Sequence, residues 1–416
     1  MNVVVQQIAV IITLILYTTF AMTPVAGVSM FSRTLNIAPG DLMMVFIGLN
    51  IIIELLVKKT TKSRADFRSA EVVHFLSAYF ALAAIFLAPT ILFFLLRNEF
   101  ATYIPRNIYV FFLWLIPLIL FYYGTANPIR YQDAKRIMHL LLISFLVGVF
   151  GSMLTVAPGL SLIELIVSSL TSSVSRLSGQ IEDPNQLGAI AAFFTVFAVI
   201  GMIKEKKTGQ KIFFFIMTAG TSLVLLLTQS RESLATLFIA LVCFAFIILR
   251  EKKLLSGFFL TMVLLIAVLL SLWFIPRITD TITAIQGGET GDALSSRDVV
   301  WKTALDIIST NPFGIGFETM YLLTGSTAMQ AHNAFLQAAV VAGVLGFLLF
   351  INFLYFLIKL LWKQRSEQQH NWLLDAYIVF LAGYLVTAMW SDHFISFFTF
   401  NAIFFGFMGF VVRSDN

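Results

Sequence analysis

Residues 331–361 read AHNAFLQAAVVAGVLGFLLFINFLYFLIKLL. From Ala334 to Leu361 the only charge is Lys359. The hydrocarbon core of a bilayer takes about 20 consecutive apolar residues as one helix. This run therefore predicts a membrane-spanning helix, with Ala331-His332-Asn333 as its polar mouth. Gly343 and Gly346 near its head are expected to let a neighbouring helix approach closely.

The same pattern recurs along the chain. Apolar runs fall at 3–22, 40–57, 72–95, 108–125, 138–157, 186–203, 212–228, 232–249, 254–275, 334–361, 373–390 and 394–412. The expectation is an all-α integral membrane protein of about twelve transmembrane helices, folded as a single polytopic domain over residues 1–416. The pairs 212–228/232–249 and 373–390/394–412 are joined by very short turns, which predicts tight helical hairpins; the 72–95 run is open to a break at Pro89. Val3 to Thr19 lacks a basic leader and reads as a retained helix.

Composition agrees. Of the 416 residues 59% are hydrophobic and 12% charged, against about 25% charged in soluble chains. The net charge of +5 does not call for nucleic acid, because the basic residues fall in short loops between apolar runs. With the N-terminus placed in the cytoplasm, the inside loops hold nineteen Lys and Arg and the outside loops eight. The positive-inside bias then puts both termini in the cytoplasm. The single cysteine, Cys243, can form neither an internal disulfide nor a cysteine zinc site.

Two outside segments are long, about 158–185 and 276–333. In the first, Leu160 to Val174 is too polar to span comfortably and suggests an interfacial or re-entrant stretch. The second is the large extracytoplasmic loop. Its helix is predicted from Ser296 to Ser309, with Val300, Trp301, Ala304, Leu305 and Ile308 on one face. Asn311-Pro312 ends it, and Gly314 and Gly316 permit a sharp turn. It reads as a lid over the membrane surface.

Three outside arginines stand out: Arg176, ahead of the helix-opening turn Glu182-Asp183-Pro184-Asn185; Arg231, in the turn Gln229-Ser230-Arg231-Glu232; and Arg297. Guanidinium forks match phosphate oxygens, so converging forks suit a pyrophosphate. The alternative is that each pairs locally, with Asp183, Glu232 and Asp298. His332 at the mouth of a span can take a proton from a hydroxyl; the alternative is a cap or interface residue. His393 is a weaker second candidate, and His74, His139 and His370 fall at or near inside loops. Glu54 and Lys58 have the spacing of a helical ion pair. There is no Asp-x-Asp, His-Glu-x-x-His or phosphate-binding glycine loop, which points to a reaction without metal or cofactor.

These elements occur in an order that resembles the O-antigen ligase and O-antigen polymerase superfamily. They are Arg176-Leu-Ser-Gly179 with Asp183-Pro-Asn185, Ser230-Arg231, Arg297 with Trp301, Asn311-Pro-Phe-Gly-Ile-Gly316, and His332-Asn333 followed by Gly343 and Gly346. The resemblance covers roughly 170–360 by motif and the whole chain by topology, and it separates ligase from polymerase poorly. It implies a GT-C-like glycosyltransferase of the bacterial inner membrane with its active site facing the periplasm. The donor would be a glycan on undecaprenyl pyrophosphate. The acceptor would be a sugar hydroxyl on lipid A–core for a ligase, or on another lipid-linked repeat for a polymerase.

The expected reaction is metal-independent and inverting. His332, Arg176 and Arg231 are its catalytic residues, and Arg297, Asn185, Asn333, Trp301, Gly314 and Gly316 bind substrate. A twelve-helix transporter or flippase is the non-enzyme alternative. It is disfavoured because transporters carry their ionisable residues near the midplane, often in paired repeats.

Overall fold

The computed structural model describes residues 3–20, 26–30, 33–37, 70–96, 104–126, 129–156, 183–250, 297–317, 330–368 and 371–414, and the isolated positions 164 and 177. Ten of the twelve apolar runs are helices there. They are α1 (Val3–Phe20), α2 (Ala70–Leu96), α3 (Ile104–Ala126), α4 (Tyr131–Val156), α5 (Pro184–Lys204), α6 (Thr208–Thr228), α7 (Arg231–Arg250), α9 (Ala334–Glu367), α10 (Trp372–Thr387) and α12 (Phe398–Val411). The runs 40–57 and 254–275 and the stretch Leu160 to Val174, apart from Glu164, lie outside the described residues. Among the described residues six helices are long and apolar enough to cross a membrane and four apolar helices are shorter. The protein is a multi-pass membrane protein.

Three details depart from expectation. The helical fold carries one short hairpin: β1 (Ala26–Met30) pairs antiparallel with β2 (Arg33–Ile37), Met30 opposite Arg33. The β-branched Val28, Thr34 and Ile37 suit strands. Secondly, the link between the last two long helices is more than a turn. It carries a short helix, α11 (His393–Ser396), which starts where Asp392 supplies its carbonyl to the N–H groups of Ile395 and Ser396. Thirdly, Pro89 lies inside α2 rather than ending it.

α5 is apolar all round, and its residues Leu187 to Gly201 are buried on every face. Such a helix belongs at the centre of a bundle. It packs against α6, α7 and α10, while α12 packs on α3 and α9 on α2. The α3–α12 contact is close enough that a Cβ on Gly124 would lie 2.7 Å from the backbone of Gly409.

The bundle has two unlike ends. At one, Lys135 Nζ meets Glu205 Oε1 at 2.7 Å, Arg365 Nε meets Asp375 Oδ1 at 2.6 Å and Lys363 Nζ meets Glu71 Oε2 at 2.6 Å. The starts of α5, α7 and α9 and the ends of α6 and α10 lie at the other end, with the candidate site.

Candidate functional site

α8 (Arg297–Thr310) runs across the mouth of α9. Val300, Ala304 and Ile307 bury against Ala331 and Val340. Leu305, expected on the same face, is 55% exposed; the helix is turned so that Ile307 takes its place. The Trp301 indole faces inward and donates from Nε1 to the Ala331 carbonyl at 2.9 Å. Gln337, one turn into α9, accepts the Ala331 N–H on Oε1 at 2.7 Å. Ala331, the residue before His332, is thus held through both its carbonyl and its N–H.

His332 itself has φ 47°, a left-handed conformation uncommon for a non-glycine residue. The next two residues are fixed as well. The Asn333 side chain caps α9, accepting from the N–H of Phe335 and Leu336, and its Nδ2 donates to the Met389 carbonyl at 2.8 Å. The Ala334 N–H donates to the carbonyls of both Ala388 and Ser391 at 2.9 Å. These bonds fasten the His332 loop to the turn after α10. The Asn333 amide, expected to touch substrate, is engaged with main-chain groups in this structure.

The turn after α10 carries Asp392, which is buried at 2% exposure and accepts the Ser396 hydroxyl on Oδ2 at 2.6 Å. Burial raises this carboxyl above the usual carboxylate range, and nearby Asp183 raises it further. The opposing pull comes from His332 and from the Ser396 hydroxyl. Asp392 therefore feels both the imidazole of His332, in the loop before α9, and the carboxyl that caps α5.

The facing wall is built on α5 and the α6–α7 turn. Asp183 caps α5 by accepting the Asn185 N–H at 2.8 Å, with Pro184 in the first helical position. The Asn185 carbonyl accepts from Ser233 Oγ at 3.5 Å, and Ser233 is bonded to Ser230 at 2.9 Å. Gly188 lets the two walls meet: a Cβ there would lie 2.7 Å from Ser230 Cβ and 2.8 Å from Ser233 Oγ. Gln229 turns the chain with φ 50°. Arg231 opens α7 and is exposed, between buried Ser230 and buried Glu232. It makes no ion pair among the described residues, so the expected alternative, a local pair with Glu232, does not form there.

The side chains of Arg176 and Arg297 lie outside the described residues. Of the stretch around Arg176 only Leu177 is described: its N–H donates to the Leu227 carbonyl at 3.0 Å, near the end of α6.

Gly314 and Gly316, with φ 82° and 81°, do something the sequence did not suggest. α9 is interrupted at Ala342 and Gly343, and Gly343 has φ 66°. The freed carbonyls of Val340 and Val341 accept the N–H groups of Ile315 and Gly316, both at 2.9 Å, and the Val344 N–H donates to the Pro312 carbonyl at 3.2 Å. The turn is spliced into the break. Gly343, expected to permit helix packing, is the residue that makes the break possible.

Asp392 is the main residue that sequence reasoning missed. In Ser391-Asp392-His393 the histidine is the conspicuous residue, although Asp392 directly precedes the short helix α11, where aspartate is a favoured cap. The His393 side chain lies outside the described residues. Chemically, the site end offers an imidazole, a buried carboxyl that feels its charge and an exposed guanidinium at the start of α7.

Residues 212–351 match the family described as O-antigen ligase. No curated protein matches the chain. The matched segment runs from α6 to beyond the break in α9, and it contains Arg231, Arg297, Trp301, Gly314, Gly316, His332 and Asn333. Over residues 212–351, about a third of its length, the chain is similar to the O-antigen ligase family.

Proposed function

We propose that the protein transfers a glycan from undecaprenyl pyrophosphate to a sugar hydroxyl of lipid A–core, at the periplasmic face of the bacterial inner membrane. The observation that carries this reading is the gathering of His332, Asp392, Asp183 and Arg231 at the one end of the bundle where α5, α7 and α9 begin. The description of the matched family favours ligase over polymerase.

The chemistry rests on those groups. The acceptor oxygen attacks the anomeric carbon of the donor sugar as the bond from that carbon to the pyrophosphate oxygen breaks, and the configuration inverts. The electron pair leaves on the pyrophosphate. Arg231, with Arg176 and Arg297, neutralises the departing charge. The hydroxyl proton passes to His332, and the Asp392 carboxylate stabilises the imidazolium that results. Trp301, Asn333, Gly314 and Gly316 serve by holding the loop that presents His332.

The glycan profile of a deletion strain tests the assignment. A ligase leaves lipid A–core bare while polymer accumulates on its lipid carrier. Single repeats without polymer would make the protein a polymerase. An unchanged profile would remove it from this chemistry.

A further inference from the structure

α9 has 34 residues, Ala334 to Glu367. Straight, it would run about 51 Å, far more than a hydrocarbon core of about 30 Å needs. Its exposed side fixes which part lies in lipid. Leu345, Leu348, Ile351, Tyr355, Ile358 and Trp362 are all more than 40% exposed and fall three or four residues apart. They form one apolar stripe. Its lower limit is a band of Tyr355, Lys359, Trp362 and Lys363, the amphipathic mixture that marks a membrane interface. Twenty residues back from Trp362, about 30 Å of helix, is Ala342. The break in α9 therefore sits at the far edge of the hydrocarbon, on the side toward His332.

The turn spliced into that break ends in Phe313, which is 73% exposed. The Val344-to-Pro312 hydrogen bond places it beside Val344, 54% exposed, at the head of the apolar stripe. The outward side of α8 is different in kind: Lys302, Asp306 and Ser309 are exposed there with Leu305. Irregular backbone is tolerated at membrane depth only when its polar groups are paired within the protein. Here Ile315, Gly316 and Pro312 pair with α9.

We propose that the Pro312-Phe313 tip is a membrane seat. The Phe313 ring enters the edge of the acyl-chain region as a continuation of the α9 stripe, and α8 lies above it among headgroups. Because the same turn is bonded to α9 and α8 is bonded to Ala331, the seat sets the height of His332 above the lipid. The extracytoplasmic helix is then a fixed cornice and not a swinging lid. The seat needs only that α9 crosses the bilayer, and it forms whatever reaction the site performs.

Cys243 is the only cysteine, so a Cys243→Ala chain accepts a single label anywhere. Spin label is attached to Phe313→Cys in that background, in the full-length protein reconstituted in phosphatidylcholine–phosphatidylglycerol vesicles. Collision with oxygen, which concentrates in lipid, is compared with collision with a water-soluble nickel chelate. Leu348→Cys and Lys302→Cys serve as lipid and water references. The expected result is oxygen in excess at position 313, as at 348, with the chelate in excess at 302. Chelate in excess at 313 would place the tip in water and overturn the seat. Exclusion of both reagents would mean that protein covers the tip, which overturns it equally. A label at 348 that reports water would remove the premise that this stripe faces lipid.

Discussion

Asp392 and His332 come from segments sixty residues apart, and neither is fixed by its own neighbours alone. Burial holds the Asp392 carboxyl above its ordinary range. A carboxyl whose folded pKa is raised favours folding fully below its unfolded value, about 3.9, and that contribution is lost as pH rises through the folded value. Asp392→Asn removes the ionisation. It should therefore melt above wild type at pH 8, with the gap closing toward pH 4, while transfer activity falls. A variant that melts lower than wild type at pH 8, in thermal scans in detergent, would contradict a strained buried carboxylate. Trp301→Phe removes one indole N–H and keeps the ring. If the indole positions His332, kcat drops about tenfold, the effect of losing roughly 1.4 kcal/mol, with KM unchanged. A change in KM alone would assign Trp301 to substrate. The types of residue at the site were readable because arginine and histidine are costly at a membrane face and conspicuous there. Their supports were not. Asp392 lies some sixty residues from His332 in a triplet where histidine drew attention, and Gln337 reads as an ordinary helix residue until its side chain is seen folded back on Ala331.

At the scale of elements, helix existence was legible from apolar run length, and the described helices fall on ten of the runs. What run length could not show was the interruption of α9, because a glycine inside an apolar run reads equally well as a packing site. The distinction depends on a second segment, Asn311 to Gly316, reaching the same place from the far side of α8. Gly343→Ala tests the splice. Its φ of 66° is unfavourable for any L side chain, by about 1–2 kcal/mol, and a Cβ there would run into the Pro312 carbonyl. The variant should unfold at a clearly lower SDS fraction than wild type. Gly151→Ala, whose Cβ would meet open space, should not. Equal unfolding of the two would mean the break is not maintained in the membrane.

At the scale of the whole molecule, the ion pairs among the described residues gather at one end of the bundle, while His332, Asp392, Asp183 and Arg231 lie at the other. The Lys135–Glu205 pair is nearly buried, with side chains 9% and 8% exposed, and Trp372 Nε1 also donates to Glu205 Oε1, at 3.0 Å. Removing one partner of such a pair leaves a bare buried charge, at a cost of about 3–5 kcal/mol. Lys135→Met should therefore destabilise strongly in SDS-driven unfolding, and adding Glu205→Gln should recover most of the loss. A single substitution no worse than the double would show that the pair is solvated.

The opposite end is proposed as a transfer site whose guanidinium stabilises a departing pyrophosphate. Single-turnover transfer in proteoliposomes, from undecaprenyl-pyrophosphate-linked glycan to lipid A–core without an added energy source, measures this directly. Wild-type protein should form the glycosidic product. Arg231→Ala, inserted at the same level, should form it about 10²–10³-fold more slowly, the loss expected on removal of one preorganised donor. Product formation by Arg231→Ala at the wild-type rate would mean that this guanidinium takes no part in the departure of the pyrophosphate, and the proposed mechanism would fall.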